Sequence, residues 1–454
     1  MLSHIPLLQP GGMDTVAIAR IARSKWTPTL AAGLLLLLPG LARAQATRVW
    51  NNSSTTETRW LIVGNWSGSQ FPGTSSTDPT AQARTDIARF TTISPGTSSG
   101  VTGVGIAIGT SQTFNVGAID FNLSAAGGTV VIGNSSATNN GVLQLNGAFT
   151  AIDPDGAGPL ASINNVLLSI SNSAVRDLTI RNTFPPNTTR TMGVRLGRTD
   201  GVLYVNAGRT LSILSDVSEA TAGSGVTFTG GGTLVLAGNN TYTGTTTVNA
   251  GTLRVSGTHA GPVALNAGVL TGTGTLGNVT VGPSATLAPG DSPGVLSLTG
   301  NLLLQGTYAW QLGDGSTPLV DPGPAGTTGV GAYFDMTAVA GDINLNNSML
   351  NLGFGGLPAG SGPDEGDPFW TQVRRWKILD STGGGTTTGN FAAVTGGAFA
   401  AGTFSTVLGT GLDAGDVFLV FTPVPEAASV VGLALAFGAA FGLLRRRRRR
   451  IRAS

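Results

Sequence analysis

Between residues 45 and 426 the chain carries one histidine, His259, and one lysine, Lys377. His259 lies in Gly257-Thr258-His259-Ala260-Gly261, a turn-like stretch. A Ser-His-Asp triad needs a histidine, and serines are plentiful, so counting alone leaves that chemistry open. The Gly-x-Ser-x-Gly elbow that would present the serine does not accompany it, because Gly223-Ser224-Gly225 has a different spacing. We therefore expect His259 to be an exposed turn residue without a catalytic role. Gly272-Thr273-Gly274-Thr275-Leu276-Gly277 matches Gly-x-Gly-x-x-Gly. A dinucleotide fingerprint needs a helix to open at that loop, and Thr and Val follow instead. With 69 glycines in 454 residues, such a match arises by chance.

Carboxylates form two clusters, Asp153 with Asp155, and Asp364 with Glu365 and Asp367. Carboxyl pairs roughly 5–10 Å apart run glycoside hydrolysis, and oxygen ligands of this kind hold Ca²⁺. Asp, Pro and Gly are also the residues that turns select, and solvated turns are the expectation for both. The calcium-binding Gly-Gly-x-Gly-x-Asp nonapeptide does not occur as a repeat. Cys is absent, which excludes zinc ribbons, disulfide scaffolds and Cys nucleophiles. This inventory predicts a protein that is not an enzyme, with no catalytic residues, no cofactor and no metal site. Trp50, Trp60, Trp66, Trp370 and Trp376 have rings that stack on sugars, or that cover the ends of a repetitive fold. The second role is the expectation.

The two ends of the chain read as addresses. In residues 1–44, Arg20, Arg23 and Lys25 form a positive n-region, and residues 31–38 are apolar. Pro39 and Gly40 end the helix, and Ala42-Arg43-Ala44 is a small-x-small site for signal peptidase. Ala42 and Ala44 are thus processing residues, and Gln45 starts the mature chain. An uncleaved anchor is the competing reading, disfavoured by the short apolar core. At the other end, Pro423-Val424-Pro425-Glu426 precedes an uncharged run over 427–444. Arg445, Arg446, Arg447, Arg448, Arg449 and Arg450 follow, then Arg452. An apolar run of this length lies at the lower limit for a membrane-spanning helix. The arginines flank it on the cytoplasmic side, so the main chain lies outside the inner membrane.

This three-part tail resembles the PEP-CTERM sorting signal of Gram-negative bacteria. Val424, Pro425 and Glu426 match its Val-Pro-Glu-Pro core, while Ala427 stands in place of the second proline. The resemblance implies an exosortase-like sorting protease as partner, with Val424, Pro425 and Glu426 as processing residues. The membrane form is then transient.

Between the ends, short runs of Val, Leu, Ile and Thr alternate with Gly, Asn, Ser and Asp. Thr129-Val130-Val131-Ile132 and Thr233-Leu234-Val235-Leu236 are examples. These are strand signals separated by turn residues, and Asn146-Gly147 supplies positive φ at a corner. Gly-Thr-Leu occurs at 232–234, 251–253 and 274–276, and Gly-Val-Leu at 141–143, 201–203, 268–270 and 294–296. The spacing of the Gly-Thr-Leu copies is close to one rung of a parallel β-helix, about 20 residues. In such a stack each rung's apolar row is covered only by its neighbours. A β-sandwich array is the alternative, since its strands are also short and alternating.

The stretch from Gly231-Gly232-Thr233-Leu234 through Asn239-Asn240-Thr241-Tyr242-Thr243-Gly244 to Ala250-Gly251-Thr252-Leu253 resembles an autotransporter-associated β-strand repeat. Leu287-Ala288-Pro289-Gly290-Asp291 is similar to that family's closing turn. The resemblance implies a right-handed parallel β-helix on a secreted or adhesin-like protein. No outer-membrane barrel is expected at the C-terminus, so secretion by the autotransporter route is not implied.

The expected organisation is a signal peptide at 1–44, an N-terminal cap at 45–100 and a β-helix at 101–300 with the repeat at 230–298. Terminal rungs or a β cap follow at 301–422, and the sorting signal with its transmembrane helix at 423–454. The fold class is all-β, a solenoid with terminal caps. The expected function is that of an exported structural or adhesin-like protein of the cell surface or extracellular matrix. Exopolysaccharide is the expected partner, and binding or cleavage of polysaccharide is the alternative function. The basic pI of 9.3 belongs to the two ends. Residues 45–426 hold 14 Lys and Arg against 22 Asp and Glu, a net charge of −8. Nucleic-acid binding loses its electrostatic basis there.

Overall fold

The computed structural model describes residues 47–50, 74–76, 86–91, 103–106, 113–124, 129–134, 140–147, 163–171, 174–183, 191–291, 293–313, 321–323, 325–331, 333–354, 366–396 and 399–424. They form an all-β arrangement in which most strands pair in parallel, with two short 3₁₀ turns. The signal segment, and the sorting segment beyond Val424, lie outside the described residues. Among the described residues no helix is long and apolar enough to cross a membrane.

Strands recur in three columns, here faces A, B and C, as in a parallel β-helix. One turn of the central region runs from Gly225–Thr229 on face A to Thr233–Leu236 on face B and Asn239–Asn240 on face C. The next turn repeats the order with Thr246–Val248, Thr252–Val255 and Thr258–His259. Each strand pairs in parallel with its counterpart one rung away. Two longer strands, Val263–Gly272 and Val279–Pro289, bend from face A into face B and pair with each other along both. Residues 45–100 supply Thr47–Trp50 and Ile87–Phe90, which pair in parallel at the start of face A.

The alternation of residues produces this stacking. In Thr233–Leu236 and Thr252–Val255 the Leu and second apolar side chains are buried, while the intervening residues face outward. Inward positions then line up across rungs. On face B the ladder runs Leu211, Leu234, Leu253, Leu270, Leu287, Tyr308 and Leu350, each fully buried. No strand could bury its apolar row alone, so each rung is stable only between neighbours.

This ladder corrects the repeat spacing read from the tripeptides. Leu234 and Leu253 are stacked, but the third Gly-Thr-Leu places Leu276 on face C, paired with His259 and Leu298. The true successor of Leu253 is Leu270, which belongs to a Gly-Val-Leu. Tight corners explain why glycine precedes these leucines. Gly251 has φ +83°, and a Cβ there would meet the Gly232 carbonyl oxygen at 2.4 Å. Gly268 repeats the arrangement against Gly251 one rung later.

At both ends of face C the parallel order stops with an antiparallel strand. Thr74–Ser76 pairs antiparallel with Thr113–Val116. Val417–Pro423 pairs antiparallel with Arg374–Ser381, and Gly402–Leu408 pairs antiparallel with Val417–Pro423. Such strands interrupt the continuous parallel edge that would otherwise template further stacking.

Candidate functional site

Thr258–His259 is a strand of only two residues on face C, and His259 points inward, 2 % exposed. The exposed-turn expectation is therefore wrong. Flanking glycines and a very short strand make a turn-like sequence, yet the stacking of rungs buries its inward position. His259 Nε2 lies 3.1 Å from Thr246 Oγ1, which lies 2.6 Å from Tyr242 Oη. The Tyr242 and His259 ring centroids are 4.7 Å apart. Burial lowers the His259 imidazole to about 4 and pushes the Tyr242 phenol up. At neutral pH both rings are uncharged, and a polymer has no route to them.

Asn240, beside this network, is 1 % exposed. Its Oδ1 accepts from the Val217 N–H at 3.1 Å, and its Nδ2 donates to the Gly238 and Thr258 carbonyls. The face C ladder breaks between Val217–Glu219 and Asn239–Asn240. One carboxamide there satisfies backbone groups on both neighbouring rungs. This gives the Asn of the repeat a structural reason.

The carboxylates divide by environment. Asp153, Asp155, Asp364 and Glu365 lie outside the described residues. Asp367 begins the 3₁₀ turn Pro368–Thr371, where its Oδ1 accepts from the Phe369 N–H at 2.8 Å. Asp335, which the sequence reading did not single out, is 3 % exposed. Burial raises its carboxyl to about 7, even though the Gly294 and Gln311 N–H groups donate to it. Asp120 is fully buried against Arg89 at 2.7 Å and Ser169 at 2.7 Å, and burial raises its pKa as well. Among the described residues no group of three or more His, Cys, Asp or Glu is placed to hold a metal. At 272–277 the chain runs into the strand Thr275–Leu276 rather than a helix, so no phosphate-binding turn forms.

The tryptophans of the C-terminal region are packed away. Trp370 is 1 % exposed, with its ring centroid 4.6 Å from Phe399, 4.8 Å from Phe369 and 4.9 Å from Phe421. Trp376 and Trp310 meet edge to face at 5.7 Å. Trp50 is buried against Phe90 at the other end, while Trp60 and Trp66 lie outside the described residues. None of the described tryptophans mentioned here keeps a face open for a sugar.

Two surface features remain accessible. On face B, Thr210, Thr233, Thr252, Thr286 and Thr307 occupy one outward column, interrupted by Val269. Neighbouring members of a parallel sheet are about 4.8 Å apart, so this is a row of hydroxyls along the solenoid. The second feature is the residue after the last strand. Val424 follows the strand Val417–Pro423, is 56 % exposed, and its N–H donates to the Ala401 carbonyl at 2.8 Å. Of the processing and anchor residues read from sequence, Val424 alone is described. Ala42, Ala44, Pro425, Glu426 and Arg445, Arg446, Arg447, Arg448, Arg449 and Arg450 lie outside.

Comparison with known families adds one finding. Residues 226–255 match the family model described as passenger-associated-transport-repeat. The match spans five strands, from face A of one rung to face B of the next, and holds Asn240, Tyr242 and Thr246. It supports the autotransporter-associated repeat within 230–298 and ends at Val255. A comparison with curated proteins finds no match.

Proposed function

We propose that the chain is an exported structural or adhesin-like protein of the Gram-negative cell surface or extracellular matrix. The observation that carries this is the passenger-associated repeat, set in a stack of parallel rungs whose interior is apolar and whose outside is hydroxyl-rich. In this reading the solenoid winds to the right, as nearly all parallel crossovers do. Signal peptidase cuts after Ala44. A transmembrane helix over 427–444 then holds the chain in the inner membrane, with its arginines in the cytoplasm. An exosortase-type protease removes the tail near Val424, Pro425 and Glu426. The exposed Val424 fits that step, because the strand before it is fixed by antiparallel pairing and Val424 itself is open to solvent.

Mass spectrometry of the matrix or surface fraction tests the reading. A chain beginning at Gln45 and ending between Val424 and Glu426 is the expected product. Extracellular material that retains Arg445 to Arg450 would overturn the processing.

The threonine column favours a second reading, binding of an extended exopolysaccharide along face B. Its hydroxyls recur rung by rung except for one gap at Val269, and match a polymer of repeated hydroxyls better than a compact ligand. Replacing Thr233, Thr252 and Thr286 together with Val should weaken co-sedimentation with the native exopolysaccharide. Unchanged co-sedimentation would remove face B from the reading.

A further inference from the structure

Lys377, the one lysine between residues 45 and 426, lies in the face C strand Arg374–Ser381. Its side chain is 13 % exposed, and its ammonium sits between two carboxylates. Asp416 Oδ2 is 2.8 Å from Nζ, and Asp380 Oδ1 is 3.0 Å from it. The Asp416 side chain is 5 % exposed. Its other oxygen, Oδ1, accepts from the Ser381 N–H at 2.8 Å. That carboxyl group is therefore held at one oxygen by the backbone while the amine lies against the other. The Phe418 ring stands 5.8 Å from Nζ and helps to keep water away. A simple ion pair needs one carboxylate. The second, Asp380, leaves a spare base on the same nitrogen.

We propose that Lys377 and Asp416 condense into an intramolecular amide, with Asp380 as the proton shuttle. The ammonium first passes a proton to Asp416, giving a neutral amine beside a neutral acid. Burial raises the Asp416 carboxyl above the usual range and so favours the neutral acid. At Lys377 the two carboxylates outweigh burial and hold the ammonium above the usual lysine range, so the neutral pair is the minor form from which attack proceeds. The Nζ lone pair attacks Cγ of Asp416 and forms the C–N bond. Asp380 takes a proton from the nitrogen and returns it to the departing hydroxyl. The C–O bond breaks and one water leaves. No oxidant and no cofactor enters the balance. Condensation is unfavourable in bulk water. Held reactants, however, reach effective molarities of roughly 10⁵–10⁸ M, far above the water they compete with.

The position gives the bond a use. Asp416 directly precedes Val417–Pro423, the antiparallel strand that ends just before Val424. Lys377 belongs to the last parallel strand of face C. A cross-link between them ties the closing strand to the stack by covalent bonds. The chemistry stands whether or not the sorting reading holds.

Tryptic mapping of the full chain tests it. Trypsin should fail to cut after Lys377, and the peptide beginning at Trp376 should be one water lighter than its sequence. Lys377 should also resist amine-acylating reagents. Asp416→Ala should restore cleavage and acylation. Asp380→Asn keeps the Lys377–Asp416 contact and should show the full mass, so it separates a missing reaction from a misfolded cap. Cleavage after Lys377 in a wild-type peptide of full mass would overturn the cross-link. Water loss that persists undiminished in Asp380→Asn would overturn the shuttle.

Discussion

His259 and Asp335 give the interior two opposed responses to pH. Burial lowers His259 from 6.5 to about 4, so the unfolded chain takes up that proton first as pH falls. Stability from this group is lost between about pH 6.5 and 4 on acidification. Asp335 is raised from 3.8 to about 7, so the folded chain holds its proton longer. Its contribution is complete below about pH 3.8 and is lost as pH rises through about 7. Each effect amounts to about 3–4 kcal/mol, and over the shared window the slopes cancel. Removing either group should expose the other. In His259→Gln the urea midpoint should fall from pH 4 to 7, and in Asp335→Asn it should rise. Flat profiles in both variants would contradict the burial-driven shifts. A third residue acts without titrating. Asn240→Ala leaves the Val217 N–H and the Thr258 carbonyl without their partner and should cost about 2–4 kcal/mol in the same assay. None of these roles was legible in the sequence. A lone His between glycines and an Asn in a turn-like run look solvated until neighbouring rungs cover them.

Elements were more legible than their assignment to faces. Alternation of apolar and polar residues marks Thr233–Leu236 and Thr252–Val255 as strands, and the recurring Gly-Thr-Leu and Gly-Val-Leu mark a solenoid. Face membership was hidden, because the two tripeptides between them serve all three columns. Leu143 and Leu276 lie on face C, Leu203 on face A, and Leu253 and Leu270 on face B. Only register distinguishes them. The ladder makes three predictions at this scale. Leu253→Ala removes a fully buried side chain between Leu234 and Leu270 and should cost about 3 kcal/mol by chemical denaturation. Outward Thr252→Ala in the same strand should cost well under half of that. Gly251→Ala combines positive φ with a Cβ 2.4 Å from a carbonyl oxygen, and should cost about 2 kcal/mol or more. A neutral Gly251→Ala would mean that this corner can relax.

Stability of the whole molecule should be local, since each rung touches only its neighbours. Trp370→Ala opens the aromatic cluster that Phe369, Phe399 and Phe421 share with it. Limited proteolysis of that variant should cut first within 366–424, while a fragment spanning 225–312 survives. Simultaneous loss of both regions would show one cooperative unit instead. The ends of the chain were legible as addresses, from charge and apolar run length. The closing hairpin was not, because antiparallel strands carry the same alternation as parallel ones.

The uneven steps of the face B ladder bear on how the chain folds. From Leu253 to Leu270 and on to Leu287 the steps along the chain are short and equal. From Tyr308 to Leu350 and on to Val394 each step is more than twice as long. Closing a loop roughly two and a half times longer costs about 0.8 kcal/mol more, and that penalty falls on each outer step. The central rungs therefore have the lowest contact order and should form first, with growth outward towards both ends. In pulse-labelled hydrogen exchange during refolding, the amides of Leu253 and Leu270 should gain protection before that of Leu350. The rungs from Leu253 to Leu287, which follow the end of the matched repeat, would then be the place where folding starts.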